Sequence, residues 1–185
     1  MKVLKIPEKI ETKRLVLRKL NHVDAPSLYE NVRHKEVSRW LTVVPYPYHK
    51  DLALKFTLLA VRKFENKQAF IFGIVIKGKT KEPVGIVSLE KVDHENKNAM
   101  LGYWLGKKYW EKGYMSEAVK GVLAFGFKTL KLHRVWANVY PENPASERIL
   151  QKSGFILEGM EREKYFKDGK WRDYLYYGLL KEEFK

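Results

Sequence analysis

The sequence predicts a mixed α/β sheet with helices on both faces. Three apolar segments in succession, 69–76, 83–92 and 99–105, are separated by short polar turns and read as neighbouring antiparallel strands. A helical repeat at 114–130 then separates the strand 99–105 from another at 134–140, an order that calls for parallel pairing. The final segments, 155–166 and 170–180, flank Asp168-Gly169, a tight hairpin signal. With a first strand at 12–20, the twisted sheet has seven strands.

The remaining elements follow in order. Leu15 and Leu17 alternate with charged residues, the mark of a half-buried strand. Asn21 or Asp24 caps a helix running to about His34. Residues 40–48 (WLTVVPYPY) form an aromatic, proline-rich loop. Leu52, Phe56, Leu59 and Ala60 recur at helical spacing across 51–63. The helix 114–130 turns Ala118, Val119, Val122, Leu123 and Phe127 to a core, and a short helix at 144–153 is closed by Gly154. No repeat, low-complexity tract or Gly/Ser linker interrupts the chain, so residues 1–185 read as a single domain.

Composition excludes several chemistries. The chain has no cysteine, so disulfides, Cys-ligated zinc and a cysteine nucleophile are ruled out. His22, His34, His49, His94 and His133 show no metal-ligand spacing, and no metal is expected. Residues 1–12 alternate lysine and glutamate with isolated apolar residues, unlike a signal peptide. The longest apolar-rich run, 69–76, is too short to cross a bilayer, so no membrane partner and a cytoplasmic location are expected. The net charge is +14. Such a field attracts nucleotide cofactors, RNA and acidic protein surfaces, although a lysine-rich solvated surface alone accounts for it.

One turn has chemical promise. Lys107-Lys108-Tyr109-Trp110-Glu111-Lys112-Gly113 joins a strand to the helix that opens with Tyr114-Met115-Ser116. Free N–H groups at a helix start favour a phosphate, and Gly113 lets the backbone approach it. An ordinary strand–helix connection ending in glycine has the same form. A second block follows: Asn143-Pro144-Ala145-Ser146, then Ile149, Leu150, Lys152 and Ser153-Gly154-Phe155.

With these blocks the sequence resembles the GNAT superfamily of N-acetyltransferases, and within it the ribosomal-protein alanine N-acetyltransferase (Rim-like) branch. The likeness extends to Thr12-Lys13-Arg14-Leu15-Val16-Leu17-Arg18, Leu101-Gly102-Tyr103-Trp104-Leu105, Glu158-Gly159 with Arg162, and Asp168-Gly169-Lys170-Trp171-Arg172-Asp173. The resemblance implies a GNAT-type domain with a splayed central strand pair and acetyl-CoA (coenzyme A) as cofactor. The pantetheine arm would pair with backbone at Trp104, Leu105 and Gly106. Trp110, Lys112, Gly113, Tyr114, Met115 and Ser116 would hold the pyrophosphate. The superfamily usually begins this turn with Gln or Arg and has Gly or Ala at the position of Met115; Trp110 is usual in the Rim-like branch. Asn143 would bond the pantetheine amides. Ser146 resembles the donor of a proton to the leaving thiolate, although Asn-Pro-x-Ser is equally a good helix start.

The catalytic base is less clearly marked. Rim-like chains often carry a glutamate where this chain has Met100. The nearest strand carboxylate is Glu90, which acts through water or is a solvent-facing strand residue. Without cysteine, direct attack of an amine on the thioester is expected. At pH 7 an α-amine is about 15% neutral and a lysine about 0.04%, so a site without an obvious strong base suits an α-amine. The expected acceptor is a protein or peptide N-terminus, as in ribosomal proteins. The loop 40–48 and the hairpin 164–171 would wall its cleft. The alternatives are a small-molecule amine (polyamine, amino sugar or amino acid) and, from another class, a non-catalytic RNA- or acyl-CoA-binding module. Weak RNA or ribosome association and a monomer or homodimer complete the expectations.

Overall fold

The computed structural model describes residues 6–185; positions 1–5, the start of the segment 1–12 read above, lie outside the described residues. The chain runs β1 (Lys9–Glu11), β2 (Leu15–Lys19), α1 (Ala25–Val32), α2 (Lys35–Ser38), α3 (Lys50–Glu65), β3 (Phe70–Ile76), β4 (Gly85–Asp93), β5 (Asn98–Leu105), α4 (Tyr114–Ala124), β6 (Arg134–Val139), α5 (Pro144–Lys152), β7 (Ile156–Lys167) and β8 (Lys170–Leu180). The strands form one mixed sheet in the order β1-β2-β3-β4-β5-β6-β8-β7. It has eight strands where the sequence suggested seven. The added one is β1, whose three residues pair antiparallel with Val16, Leu17 and Arg18 and are too few to display an alternation.

Antiparallel pairing runs from β1 to β5, and β5 and β6 are parallel, as the strand–helix–strand order requires. Asp168 and Gly169 both take positive φ, 51° and 76°, the backbone of a tight turn that suits the twist of β7 and β8. Asn21 and Asp24 both act as caps. Asn21 accepts from Val23 N–H and Asp24 accepts from Asn21 N–H at 2.9 Å, closing a 3₁₀ turn at His22–Asp24 before α1 begins. The helix read as 114–130 is α-helical only to Ala124. It widens into a π turn at Phe125–Thr129, where Leu130 N–H reaches the Phe125 carbonyl. There Gly126 rests on Leu89, and a Cβ would lie 2.9 Å from the leucine methyl.

The two sheet faces bury different sets. Val87, Leu89, Leu101 and Leu105 pack with Ala118, Val119, Val122 and Leu123 of α4. Ile71, Ile86 and Trp104 pack with Leu28 of α1 and with Ala60 and Phe56 of α3. This division decides which side of β5 each functional group faces.

Candidate functional site

β5 and β6 are joined only at one end. Asn98, Ala99 and Met100 pair with Arg134, Val135 and Trp136, and the ladder stops there, while β6 stays paired with β8 through Val139. The register of β4 on β5 shows which groups the split exposes. Gly106 N–H donates to the Val84 carbonyl at 2.9 Å. Antiparallel pairs alternate, so Ile86/Trp104 and Ser88/Gly102 are also bonded pairs. Tyr103 and Leu105, opposite Val87 and Gly85, turn their backbone groups away from β4 and into the split. The indole of Trp110 donates to the Leu105 carbonyl at 2.6 Å. The Leu105 N–H and both backbone groups of Tyr103 are thus on the open edge, whereas the Trp104 backbone belongs to the β4 ladder. An open strand edge of this kind is a template for an extended group carrying amides.

The split widens into a cleft of about 820 Å³. Of the residues matched to cofactor binding, Trp104, Leu105, Trp110, Gly113, Tyr114, Met115, Ser116 and Asn143 line it. Gly106 and Lys112 stand outside its walls. A Cβ on Gly106 would lie 2.0 Å from the Asn31 side-chain oxygen, so this glycine lets α1 approach the sheet. Lys112 Nζ curls back onto the Lys108 carbonyl at 2.6 Å.

The turn before α4 leaves backbone N–H groups free at the helix start. Glu111 and Gly113 have φ of 59° and 72°, and no side chain caps the helix start. The first N–H groups of α4, on Tyr114, Met115 and Ser116, therefore lack intrahelical acceptors and carry the positive end of the helix dipole. Arg14 holds the turn in place, which the sequence did not single out as its role. Its Nε donates to Glu117 at 2.6 Å and its Nη1 to the Lys112 carbonyl at 2.9 Å. Burial pushes the Glu117 carboxyl up, but hydrogen bonds from Thr12 and from the backbone and side chain of Arg14 outweigh it and hold it below the usual carboxylate range.

Two polar clusters stand on opposite faces of β5. On the α4 face, the Tyr103 hydroxyl lies 2.8 Å from Ser146 Oγ and 3.2 Å from the Ser146 carbonyl. Burial pushes the Tyr103 phenol well above its ordinary range, with the serine hydrogen bond opposing slightly, so it stays a neutral donor. Asn143 accepts from Ser146 N–H at 3.2 Å as helix cap, which leaves its amide N–H groups to donate. Ser146 is thus both a residue of the capped first turn and a hydroxyl in the cleft.

On the α1–α3 face, Glu90 sits directly opposite Met100 in the β4–β5 register. Its Oε1 accepts from Ser88 Oγ at 2.8 Å. The carboxylate lies across Gly102, where a Cβ would come within 3.0 Å of Oε1. Glu90 therefore brings a carboxylate from the neighbouring strand to the level at which the resemblance led one to look on β5. Asn138 of β6 lines the cleft too, with a buried side-chain oxygen that has no hydrogen-bond partner among the described residues. The loop 40–48 forms the outer wall. Lys167, 8% exposed, fixes it by donating to the Leu41 and Val44 carbonyls at 2.7 and 2.6 Å.

Comparison with known proteins accounts for this architecture. The model of an acetyltransferase (GNAT) domain matches residues 14–156. The chain is 33% identical to the uncharacterized N-acetyltransferase p20 of Bacillus licheniformis, over 96% of this chain and 98% of that one. It is 30% identical to the [ribosomal protein uS5]-alanine N-acetyltransferase of Escherichia coli (strain K12), over 90% and 88%. The crystal structure of a GNAT-family acetyltransferase from Bacillus anthracis superposes with a TM-score of 0.81 at 28% identity, covering 95% of this chain and 99% of that one. The split strand pair, the uncapped turn at Gly113 and this likeness along nearly the whole sequence have one explanation: the chain belongs to the GNAT family and is an acetyl-CoA-dependent N-acetyltransferase.

Proposed function

We propose that the acceptor is the N-terminal α-amine of a protein, with a ribosomal-protein-like N-terminus as the first candidate. The observation that carries this is the single carboxylate, Glu90, on the α1–α3 face of the cleft. Glu111, the other carboxylate among the described lining residues, belongs to the turn at Gly113. A polyamine brings at least two ammonium groups, and one carboxylate among apolar walls would leave one of them desolvated without a partner. A mono-amine with a modest pKa fits better, and a relative at 30% identity is named for alanine N-acetylation of a ribosomal protein. The +14 charge suits encounter with an anionic assembly such as the ribosome. The non-catalytic alternative falls with the family membership.

Acetyl-CoA supplies the acetyl group already activated as a thioester. The open edge at Tyr103 and Leu105, the amide of Asn143 and the N–H groups of Tyr114, Met115 and Ser116 are the donors that would hold it. Glu90, directly or through a water, takes the proton the amine must lose. Ser146 passes its hydroxyl proton to the departing sulfur and regains one from water in the cleft, and the Tyr103 hydroxyl, 2.8 Å from Ser146 Oγ, positions that group. Base and acid thus work from opposite faces of β5.

Labelled acetyl-CoA offered to N-terminal peptides, polyamines, amino sugars and free amino acids tests the acceptor. Peptides should be modified fastest and at the α-nitrogen; faster transfer to any of the small amines overturns the assignment. Ser146→Ala should lower kcat about 10- to 100-fold with little change in acetyl-CoA affinity. Tyr103→Phe should produce a smaller loss, and the double variant should match Ser146→Ala, because the phenol acts through that hydroxyl. Full turnover in Ser146→Ala would give the donor role to water.

A further inference from the structure

The acceptor face of the cleft has a polar end and an apolar end, and their order along β5 specifies what sits beside the amine. At the polar end are the Glu90 carboxylate, lying across Gly102, and the side-chain oxygen of Asn138, which has no partner among the described residues. Asn138 alternates with Ala137 and Val139, which pack into the α4 core, so it turns to the same face as Glu90. Two residues beyond Gly102, about 7 Å along the strand, the Trp104 ring begins the apolar end. Trp40, Leu41, Val44, Leu52 and Phe56 continue it, all half-buried with apolar surface turned to the cleft. No charged side chain of the described residues lines this end; the cleft's charged residues Glu90, Lys91, Glu111, Arg148 and Lys152 come from other segments. The Lys167 hydrogen bonds to the Leu41 and Val44 carbonyls tie that wall to the end of β7, so the pocket is preformed.

Building on the α-amine assignment, we infer that the enzyme selects acceptors whose first residue has a large apolar side chain, such as leucine, methionine or phenylalanine. The amine sits at Glu90 and Asn138, and the side chain fills the pocket of Trp40, Leu41, Val44, Leu52, Phe56 and Trp104. Alanine, for which the relative of 30% identity is named, would leave the pocket unfilled, as would serine, so the preferred first residue differs from that relative's. A first aspartate or lysine would carry a charge into walls that offer no partner. Each additional buried methylene contributes about fourfold in affinity, so leucine should exceed alanine by at least tenfold.

The test is a set of peptides identical except at the first residue: Ala, Ser, Leu, Met, Phe, Asp and Lys. Initial rates give kcat/KM, and calorimetry gives the affinity of the same peptides for the protein without acetyl-CoA. Leucine, methionine and phenylalanine should lead in both measurements by at least tenfold. Leu52→Glu should then move the leucine-to-lysine ratio at least tenfold toward lysine, and a ratio within one protein is unaffected by any loss of folded fraction. Alanine or serine leading, or an unmoved ratio, overturns the pocket assignment while leaving the α-amine assignment standing. Failure of every peptide alongside rapid acetylation of a small amine overturns both.

Discussion

Gly113→Glu should weaken acetyl-CoA binding at least 100-fold in calorimetry, the largest effect of a single substitution on the cofactor half of the site. Two effects act. A carboxylate about 4 Å from a phosphate charge at an effective dielectric near 20 costs about 4 kcal/mol of binding, more than the roughly 2.7 kcal/mol that a 100-fold loss requires. Gly113 has φ of 72°, and a side chain in that left-handed region costs about 1–2 kcal/mol, which destabilises the turn in the free and bound protein alike. A third effect acts on the support: a Cβ at this position lies 3.4 Å from Arg14 Nη2, so the new carboxylate competes with Glu117 for that guanidinium. Gly113→Asn separates the terms, because asparagine tolerates the left-handed region and adds no charge; it should lose less than tenfold. Unchanged affinity in Gly113→Glu, with a native circular dichroism spectrum, would remove the turn from cofactor binding.

What the sequence revealed about this site was local. The turn at Gly113, the cap at Asn143 and the hairpin at Asp168-Gly169 are each set by a few adjacent residues, and each stands where the pattern put it. The contacts that needed the whole fold had no local signal. Tyr103 and Ser146 are 43 residues apart, Arg14 and Glu117 are 103 apart, and Lys167 reaches Leu41 across 126. A strand pattern says that Tyr103 points to one face of β5, but not that α5 will set a serine against it. The open edge of β5 shows the same division: the motif pointed to residues 104–106, and only the register with β4 could tell that Leu105 and Tyr103, not Trp104, present their backbone to the split. The end of α4 was hidden for a different reason. A glycine such as Gly126 costs a helix about 1 kcal/mol, which a strong apolar repeat can absorb, and its close approach to Leu89 on β4 leaves no local signal.

Glu90→Gln should lower kcat about 100-fold or more while the affinity for acetyl-CoA stays within a few-fold, as expected when a general base is removed without loss of shape. The amide can still accept from Ser88 Oγ and still covers Gly102, so the geometry of β4 and β5 is kept. What disappears is the ability to take a proton. The residual rate should therefore keep rising with pH beyond the point where the wild type levels off, since water and hydroxide must then remove the proton. Gly102→Ala reaches the same group by another route. Its Cβ would lie 3.0 Å from Glu90 Oε1 and 2.8 Å from Ser88 Oγ, so the carboxylate must move although it remains ionisable. That variant should lose kcat with the wild-type dependence on pH, a pattern distinct from Glu90→Gln. Wild-type turnover in Glu90→Gln would dismiss Glu90 as the base. The pair of variants thus tests whether a carboxylate on β4, opposite Met100, does the work that the resemblance led one to expect from β5.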